Sequence, residues 1–455
     1  MQPFEKIKEY SKTVCEQIRW KRAHEVVSEE IENHLIDQRD AYILHGEDEK
    51  SATQKAILQM GDAVSIGMGL DKTHKPKPQW TMITLTALLM LIGMLSSYLM
   101  SRFSLIPYAI SVTVFVVCYF LDFTILGKYA KHLYFIVLAT SVSYLGFVVT
   151  PPTLVSSQIN NRAISLTYLS LIFPITYSIF IYALRHKGFM GVILCGLGYI
   201  PFAAVLLLIP SFTGFVLFTI STLVILFLSI TKGWFGIDKK RGLLLLLIPT
   251  LIAISFTVLY TVRNPYSLSR LSIAINPSSD PFDRGYISIL VRDFLANSKF
   301  VGEGAIPASF GDNITMLPVS GTNFVLAALT HKFGWVTFIG IIGVVTAFSV
   351  YGLYYSAKQK SVLGNLVSLP IVITFIYQAF TYIMNNLGFG LLSSLSLPLV
   401  SYGKTALVIN SVLIGFMLSV FRTGEIFKDS TKSYTRGNPV FSYEDGKLII
   451  NVKGN

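Results

Sequence analysis

The sequence predicts an all-α polytopic membrane protein: ten transmembrane helices, a large extracellular loop between helices 7 and 8, and a small cytoplasmic helical domain in front. Three observations predict it. Of 455 residues, 52% are hydrophobic and only 14% charged, against about 25% charged in a soluble globular domain. The charge is also uneven: residues 1–79 hold 14 of 25 acids and 12 of 37 bases, a net of −2, which leaves 11 acids and 25 bases, a net of +14, for the rest. Finally, charge-free runs long enough to cross about 30 Å of hydrocarbon recur from residue 80 to residue 421. A soluble multi-domain enzyme and a disordered chain are excluded.

Residues 1–77 read as the cytoplasmic helical prefix domain. No signal peptide is visible, because the first twenty residues are charged throughout. Val27, Ile31 and Leu35 form an i, i+4, i+8 stripe, and Gly46 is placed to end that helix. Ser51-Ala-Thr-Gln54 fits a capping box for the next helix, which Gly61 would close. The segment HGEDEKSATQKAILQMGD resembles the small helical prefix ahead of some bacterial permeases, which implies a regulatory or partner-docking module. An inert solubilising head is the alternative. Lys72 to Pro78 reads as a linker.

Residues 78–425 read as the ten-helix membrane domain. Its charge-free runs are 80–101, 103–121, 133–161, 163–184, 188–231, 242–262, 333–357, 361–403 and 405–421. The 188–231 run would measure roughly 66 Å as one helix, so it is divided at Pro210. The second half of 361–403, with Asn385, Asn386, Gly388, Gly390 and Ser393, is too polar to face lipid and reads as a loop or re-entrant segment packed on protein. Lys128, Lys131, Arg185, Lys187, Lys232, Lys239, Lys240, Arg241, Lys358 and Lys360 then fall in short loops on one side, against Arg102, Arg162 and Lys404 on the other. That asymmetry puts both termini in the cytoplasm. The basic excess is topology, so no nucleic-acid partner is expected. Residues 426–455 read as a cytoplasmic tail, and Gly188, Gly191, Gly196 and Gly198 as sites of close helix packing.

The acids carry the functional signal. Between residues 80 and 263 only Asp122 and Asp238 occur, and between 323 and 421 there is none. An ion-coupled transporter keeps carboxylates at membrane depth, which argues against one here. Asp280, Asp283, Asp293, Glu303 and Asp312 share the predicted external loop 263–322 with Arg263, Arg270, Arg284 and Arg292. Arginines grip phosphate in bidentate fashion and a carboxylate can act as general base, a pairing suited to a lipid-linked phosphate. A solvated loop anchored by one amphipathic turn is the alternative. Apolar positions 287, 290, 291, 294 and 295 predict an interfacial helix over 286–298. The Asn313-Ile-Thr315 sequon is read as accidental. Cys15, Cys118 and Cys195 make neither a disulfide framework nor a zinc site, the histidines are scattered, and no metal site is expected.

Four motifs in order then resemble one family. They are Leu397-Pro398-Leu399-Val400-Ser401-Tyr402-Gly403-Lys404 before the last span, Arg270-Leu271 with Asn276-Pro277 and Asp280-Pro281, the turn Gly302-Glu303-Gly304, and Leu317-Pro318 with Thr322-Asn323-Phe324. With the predicted topology, they make residues 80–425 resemble the SEDS proteins (the FtsW/RodA/SpoVE group), bacterial cytoplasmic-membrane proteins of cell shape, division or sporulation. The resemblance implies peptidoglycan glycosyltransferase action on lipid II with a class B penicillin-binding protein as partner, or, on an older reading, translocation of the lipid-linked precursor. Of cofactors it implies at most a divalent cation. The acid it places at the heart of catalysis falls on Asn323, whose amide cannot accept a proton as a carboxylate does. Glu303 stands where the family has lysine, Phe173-Pro174-Ile175-Thr176 and Pro210-Ser211 replace acid-bearing strings, and His331-Lys332 replaces glutamates. Three functions fit these residues: a divergent glycosyltransferase, with Glu303 or Asp280 as substitute acid, a non-catalytic regulator of wall synthesis, and a translocator. Arg263, Arg270, Arg284, Arg292, Ser401 and Tyr402 are the expected substrate-binding residues.

Overall fold

The computed structural model describes residues 3–101, 103–149, 167–208, 211–263, 269, 272–283, 285–306, 317, 322–390, 392, 395–424, 441–444 and 447–450. The chain splits into two compact units, one built on Met1–Pro78 and the other on Gln79–Phe421.

The first unit holds α1 (Pro3–Glu16), α2 (His24–Leu44), α3 (Glu49–Met60) and α4 (Ala63–His74). The stripe Val27, Ile31 and Leu35 is buried against Ile7, Val14 and Ile18 of the α1 segment and Ala56 of α3. Each such aliphatic side chain contributes about 1.5–3 kcal/mol on full burial. The expected capping box at Ser51 is corrected. Helix α3 starts at Glu49, and the Asp48 carboxylate accepts from the Ser51 N–H at 3.2 Å. A carboxylate at this end satisfies an orphan N–H and also meets the positive helix terminus, so the cap lies before Ser51. Gly61 closes α3 with φ +96°, a left-handed conformation that favours glycine. Arg19 joins the two ends of the unit: its N–H and Nε donate to the two oxygens of Asp71 at 2.9 and 3.0 Å.

The second unit holds α5 (Trp80–Leu99), α6 (Leu105–Phe120), α7 (Thr124–Lys128), α8 (Ala130–Val149), α9 (Phe173–Leu184), α10 (Gly188–Leu208), α11 (Phe212–Thr231), α12 (Lys239–Arg263), α13 (Tyr286–Ala296), α14 (Val325–Phe333), α15 (Trp335–Ala357), α16 (Val362–Asn386) and α17 (Lys404–Thr423). Among the described residues, six stretches are long and apolar enough to cross a membrane: α5, Thr167–Leu208, α11, α15, α16 and α17. Thr167–Leu208 has 42 residues, about 63 Å if straight, yet it folds back on itself. Gly188 has φ +57°, the Tyr177 hydroxyl donates to Cys195 O at 2.8 Å, and a β-carbon on Gly198 would come within 2.6 Å of the Phe180 ring. Thus α9 and α10 run antiparallel. Of the four glycines expected in close packing, Gly191 and Gly198 are, Gly188 supplies a reversal, and Gly196 has open space around it. The core between these helices is aromatic: Tyr134 stacks on Phe180 at 4.1 Å, and Phe173 meets Phe202 at 4.4 Å.

Two further expectations are corrected here. Helix α16 runs on through Asn385 and Asn386 instead of breaking before them. Their amides donate back to Thr381 O and Tyr382 O, so the polar groups are satisfied within the helix. Beyond the helix, residues 395–401 are non-helical and buried, the packing on protein that their polarity predicts. The apolar face of α13 is covered by protein and not by an interface. Leu290, Val291, Phe294 and Leu295 pack with Leu317 and Ala327, and with the half-buried Phe324, Trp335 and Leu387. Past residue 440, Phe441–Glu444 pairs antiparallel with Lys447–Ile450. The sequence Asp445-Gly446 between them is a two-residue hairpin signal.

Candidate functional site

Position 323 lies in the turn that opens α14. Phe324, the N-cap, offers α14 no side-chain hydrogen bond. The terminus is instead met by two buried side chains of α16. The Tyr382 hydroxyl accepts from Val325 N–H at 3.1 Å and donates to Thr322 O at 3.0 Å. The Asn386 Oδ1 accepts from Ala327 N–H at 3.0 Å, while its Nδ2 donates to Asn323 O at 2.9 Å. The Asn323 side chain itself is exposed and makes no hydrogen bond among the described residues. Sequence reasoning missed Tyr382 and Asn386. The available signal is the asparagine pair in an otherwise apolar run, whose polarity by itself suggests a helix break.

Arg292 reaches the same end of α16. Its guanidinium lies over the Phe389 ring, 4.8 Å from the centroid. A β-carbon on Gly388 would come within 2.6 Å of its Cγ. The one hydrogen bond Arg292 makes among the described residues is long, 3.5 Å to Ala274 O. Arg292 and Asn323 therefore converge on residues 386–389.

The other expected site residues are placed elsewhere or at the margin. Asp280 is half-buried in the turn before α13, where Gly285 N–H donates to its carbonyl at 2.9 Å. Glu303 is exposed on a segment running along the far end of α14, with Gly302 N–H donating to Phe333 O and Gly304 N–H to His331 O. Residues 325 and 333 are separated by about 12 Å of helix, so Glu303 does not share the end that carries Asn323. Arg263 is exposed at the end of α12. Ser401 is buried, its hydroxyl turned to Leu397 O at 3.4 Å, and Tyr402 is half-buried. Their loop lies on α5, where Ser96 Oγ donates to Val400 O at 3.2 Å. Arg270 and Arg284 lie outside the described residues, as do the sequon and Asp312.

No three His, Cys, Asp or Glu side chains come together among the described residues, and an amide at 323 brings no negative charge to a cation. The donor set does not fit a divalent metal. What the arrangement offers, at one end of α16, is an arginine able to hold an anionic oxygen and an exposed neutral amide able to hydrogen-bond.

Comparison with known proteins places the family and the fold. The FtsW/RodA/SpoVE family model, described as "cell cycle protein", matches residues 79–425. The probable peptidoglycan glycosyltransferase FtsW of Nitrosomonas europaea is 29% identical over 248 residues, covering 51% of this chain and 57% of that protein. The peptidoglycan glycosyltransferase MrdB of Escherichia coli is 25% identical over 215 residues, covering 46% and 55%. The chain thus spans little more than half the length of these curated relatives. A chain of a solved peptidoglycan synthase complex has the same fold, with a TM-score of 0.57 at 20% identity over 77% of this chain and 99% of that one. With a family model matched from the first membrane helix to the last, this multi-pass membrane protein belongs to the FtsW/RodA/SpoVE family.

Proposed function

We propose that the chain acts on a lipid-linked peptidoglycan precursor as a divergent peptidoglycan glycosyltransferase, partnered by a class B penicillin-binding protein. The observation that supports this most is the convergence of Arg292 and position 323 on the end of α16. A guanidinium there suits a precursor's phosphates, and position 323 is the one the family resemblance places at the reaction. In this reading ten helices cross the membrane, both termini are cytoplasmic, segment 263–322 is external, and residues 1–77 form a regulatory or docking head. Asp280 remains as the substitute acid in this reading, since Glu303 stands at the far end of α14 from position 323.

A second reading is favoured by one observation: the exposed group at 323 is an amide, with no acid cluster among the described residues. In that case the chain binds precursor or a synthase partner and regulates wall synthesis without polymerising.

Labelled lipid II, the full chain in lipid nanodiscs and a class B transpeptidase, with and without divalent metal, test both. Strand products from the natural chain support the first reading. Products from Asn323→Asp alone support the second, with an intact pocket. No products from either, together with no binding of lipid II, would remove both.

A further inference from the structure

Helix α14 is short, begins without a cap of its own, and opens with the one turn whose side chain matters most to the proposed chemistry. A helix start leaves several N–H groups without partners. In water they would be solvated, but here Val325 and Ala327 are buried, where an unmet N–H is costly. The two that are met receive side chains from another helix. Tyr382 and Asn386 stand four residues apart on one face of α16 and are 1% and 0% exposed. Each takes one N–H of α14 and gives a hydrogen to one carbonyl of the turn, Thr322 or Asn323. Asn386 also donates to Tyr382 O, which fixes its amide plane.

The four bonds grip backbone only. They hold residues 322–327 by N–H and carbonyl groups alike, while residue 323 is exposed. Capping alone would have used the N–H groups and left both carbonyls to solvent. Binding the carbonyls as well removes the freedom of the turn to rotate.

We propose that Tyr382 and Asn386 are positioning residues: a two-residue clamp from α16 that holds the 322–324 backbone so that whatever side chain stands at 323 is presented in one fixed place. The clamp also explains how the chain keeps its geometry with asparagine at 323, because no bond in it depends on that side chain. The catalytic part of this inference rests on the proposed function, whereas the positional part does not. Holding a reacting group in place acts on turnover more than on binding.

The test uses the full chain with a spin label on Asn323→Cys, since the native Cys15, Cys118 and Cys195 are all buried. Tyr382→Phe keeps the ring and removes both bonds, and Asn386→Ala removes the other pair. We expect either variant to shift the label from an ordered to a mobile line shape. In parallel, unlabelled protein that turns over lipid II, natural or Asn323→Asp, should lose about ten-fold in kcat with KM within about two-fold. A mobile label with no turnover in any background supports the clamp and overturns the glycosyltransferase reading. An unchanged line shape overturns the clamp, as does a loss of activity that only tracks the folded fraction in a melting curve.

Discussion

The carbonyl oxygen of Leu399 lies so close against Gly93 that a β-carbon at position 93 would overlap it. Leu399 has φ +64°, unusual for a side chain of its size, yet is only 2% exposed. Around this contact the Gly93 carbonyl accepts from Tyr108 Oη at 2.8 Å and Ser96 Oγ at 2.9 Å. Helix α5 is thus the seat for the loop that carries Ser401 and Tyr402. Gly93→Ala should destabilise the protein by about 1–3 kcal/mol, the cost of overpacking against backbone that cannot yield. Gly196→Ala has free space and should gain up to about 1 kcal/mol from helix propensity. Thermal unfolding of both variants in the same lipid decides it, and the reverse order would refute the packing argument.

Gln378 and Asn410 join α16 to α17 by a reciprocal amide pair. Gln378 Nε2 donates to Asn410 Oδ1 at 2.9 Å, and Asn410 Nδ2 donates back at 3.2 Å. Both side chains are buried. Removing Asn410 leaves the buried Gln378 amide without this partner, and removing Gln378 leaves Asn410 Oδ1 unmet although its Nδ2 keeps Ala406 O, whereas removing both leaves an apolar contact. Gln378→Leu and Asn410→Leu should therefore each cost about 1–2 kcal/mol, and the double variant less than their sum. A double-mutant cycle on the unfolding free energy in mixed micelles measures the coupling. Strict additivity would mean the pair contributes nothing jointly.

The head should lose stability in acid. Asp71 is held below the usual carboxylate range, first by the Arg19 N–H it accepts, then by the Arg19 guanidinium. Asp62 is lowered likewise by the Ser65 N–H at the start of α4. A lowered folded value stabilises above the unfolded pKa, near 3.8 for these groups, and that stability is lost as pH falls through the folded value. Amide exchange in α4 of the full chain should rise, after correction for intrinsic rates, as pH drops below about 4. Asp71→Asn should exchange faster at neutral pH and show a flatter acid response. An unchanged profile in that variant would show the Arg19 contact to be without effect.

The membrane helices were legible because charge-free length is what a bilayer demands, and so the runs near 80–101, 333–357 and 405–421 correspond to α5, α15 and α17. The stripe of α2 was legible for the parallel reason that one face must be buried. What stayed hidden depended on partners distant in sequence. The polarity of Asn385 and Asn386 argued for a break, and only the approach of segment 323–327 to α16 turns the second of them into a clamp. Amphipathicity told that one face of α13 is covered, but not that Leu317, Ala327 and Leu387 cover it. Nothing in a leucine announces a left-handed backbone at 399, which tertiary packing on Gly93 imposes. Among the site residues, the arginines were chosen by charge alone, and contact with Gly388 and Phe389 separates Arg292 from the exposed Arg263.

That contact makes Arg292 the sharpest test of precursor binding. Its stem is packed against Gly388 and its guanidinium lies over the Phe389 ring. The guanidinium is therefore held on one side, while among the described residues its donors have only a long bond to Ala274 O. A planar fork suits phosphate oxygens in a way an ammonium does not. Arg292→Ala should weaken binding of a lipid-linked pyrophosphate by about 10- to 100-fold, the loss of one charge-assisted bidentate contact. Arg292→Lys should recover little of it, because lysine keeps the charge but not the fork. Gly388→Ala gives an independent arm. It leaves every charge in place, but its β-carbon would press on Arg292 Cγ and on Ser288 O, at a residue whose φ is +82°. It should weaken binding in the same direction by displacing the arginine. Fluorescence titration in nanodiscs measures all three. Full affinity in Arg292→Lys would show that charge alone is read at this site, and full affinity in Arg292→Ala would place the phosphates elsewhere.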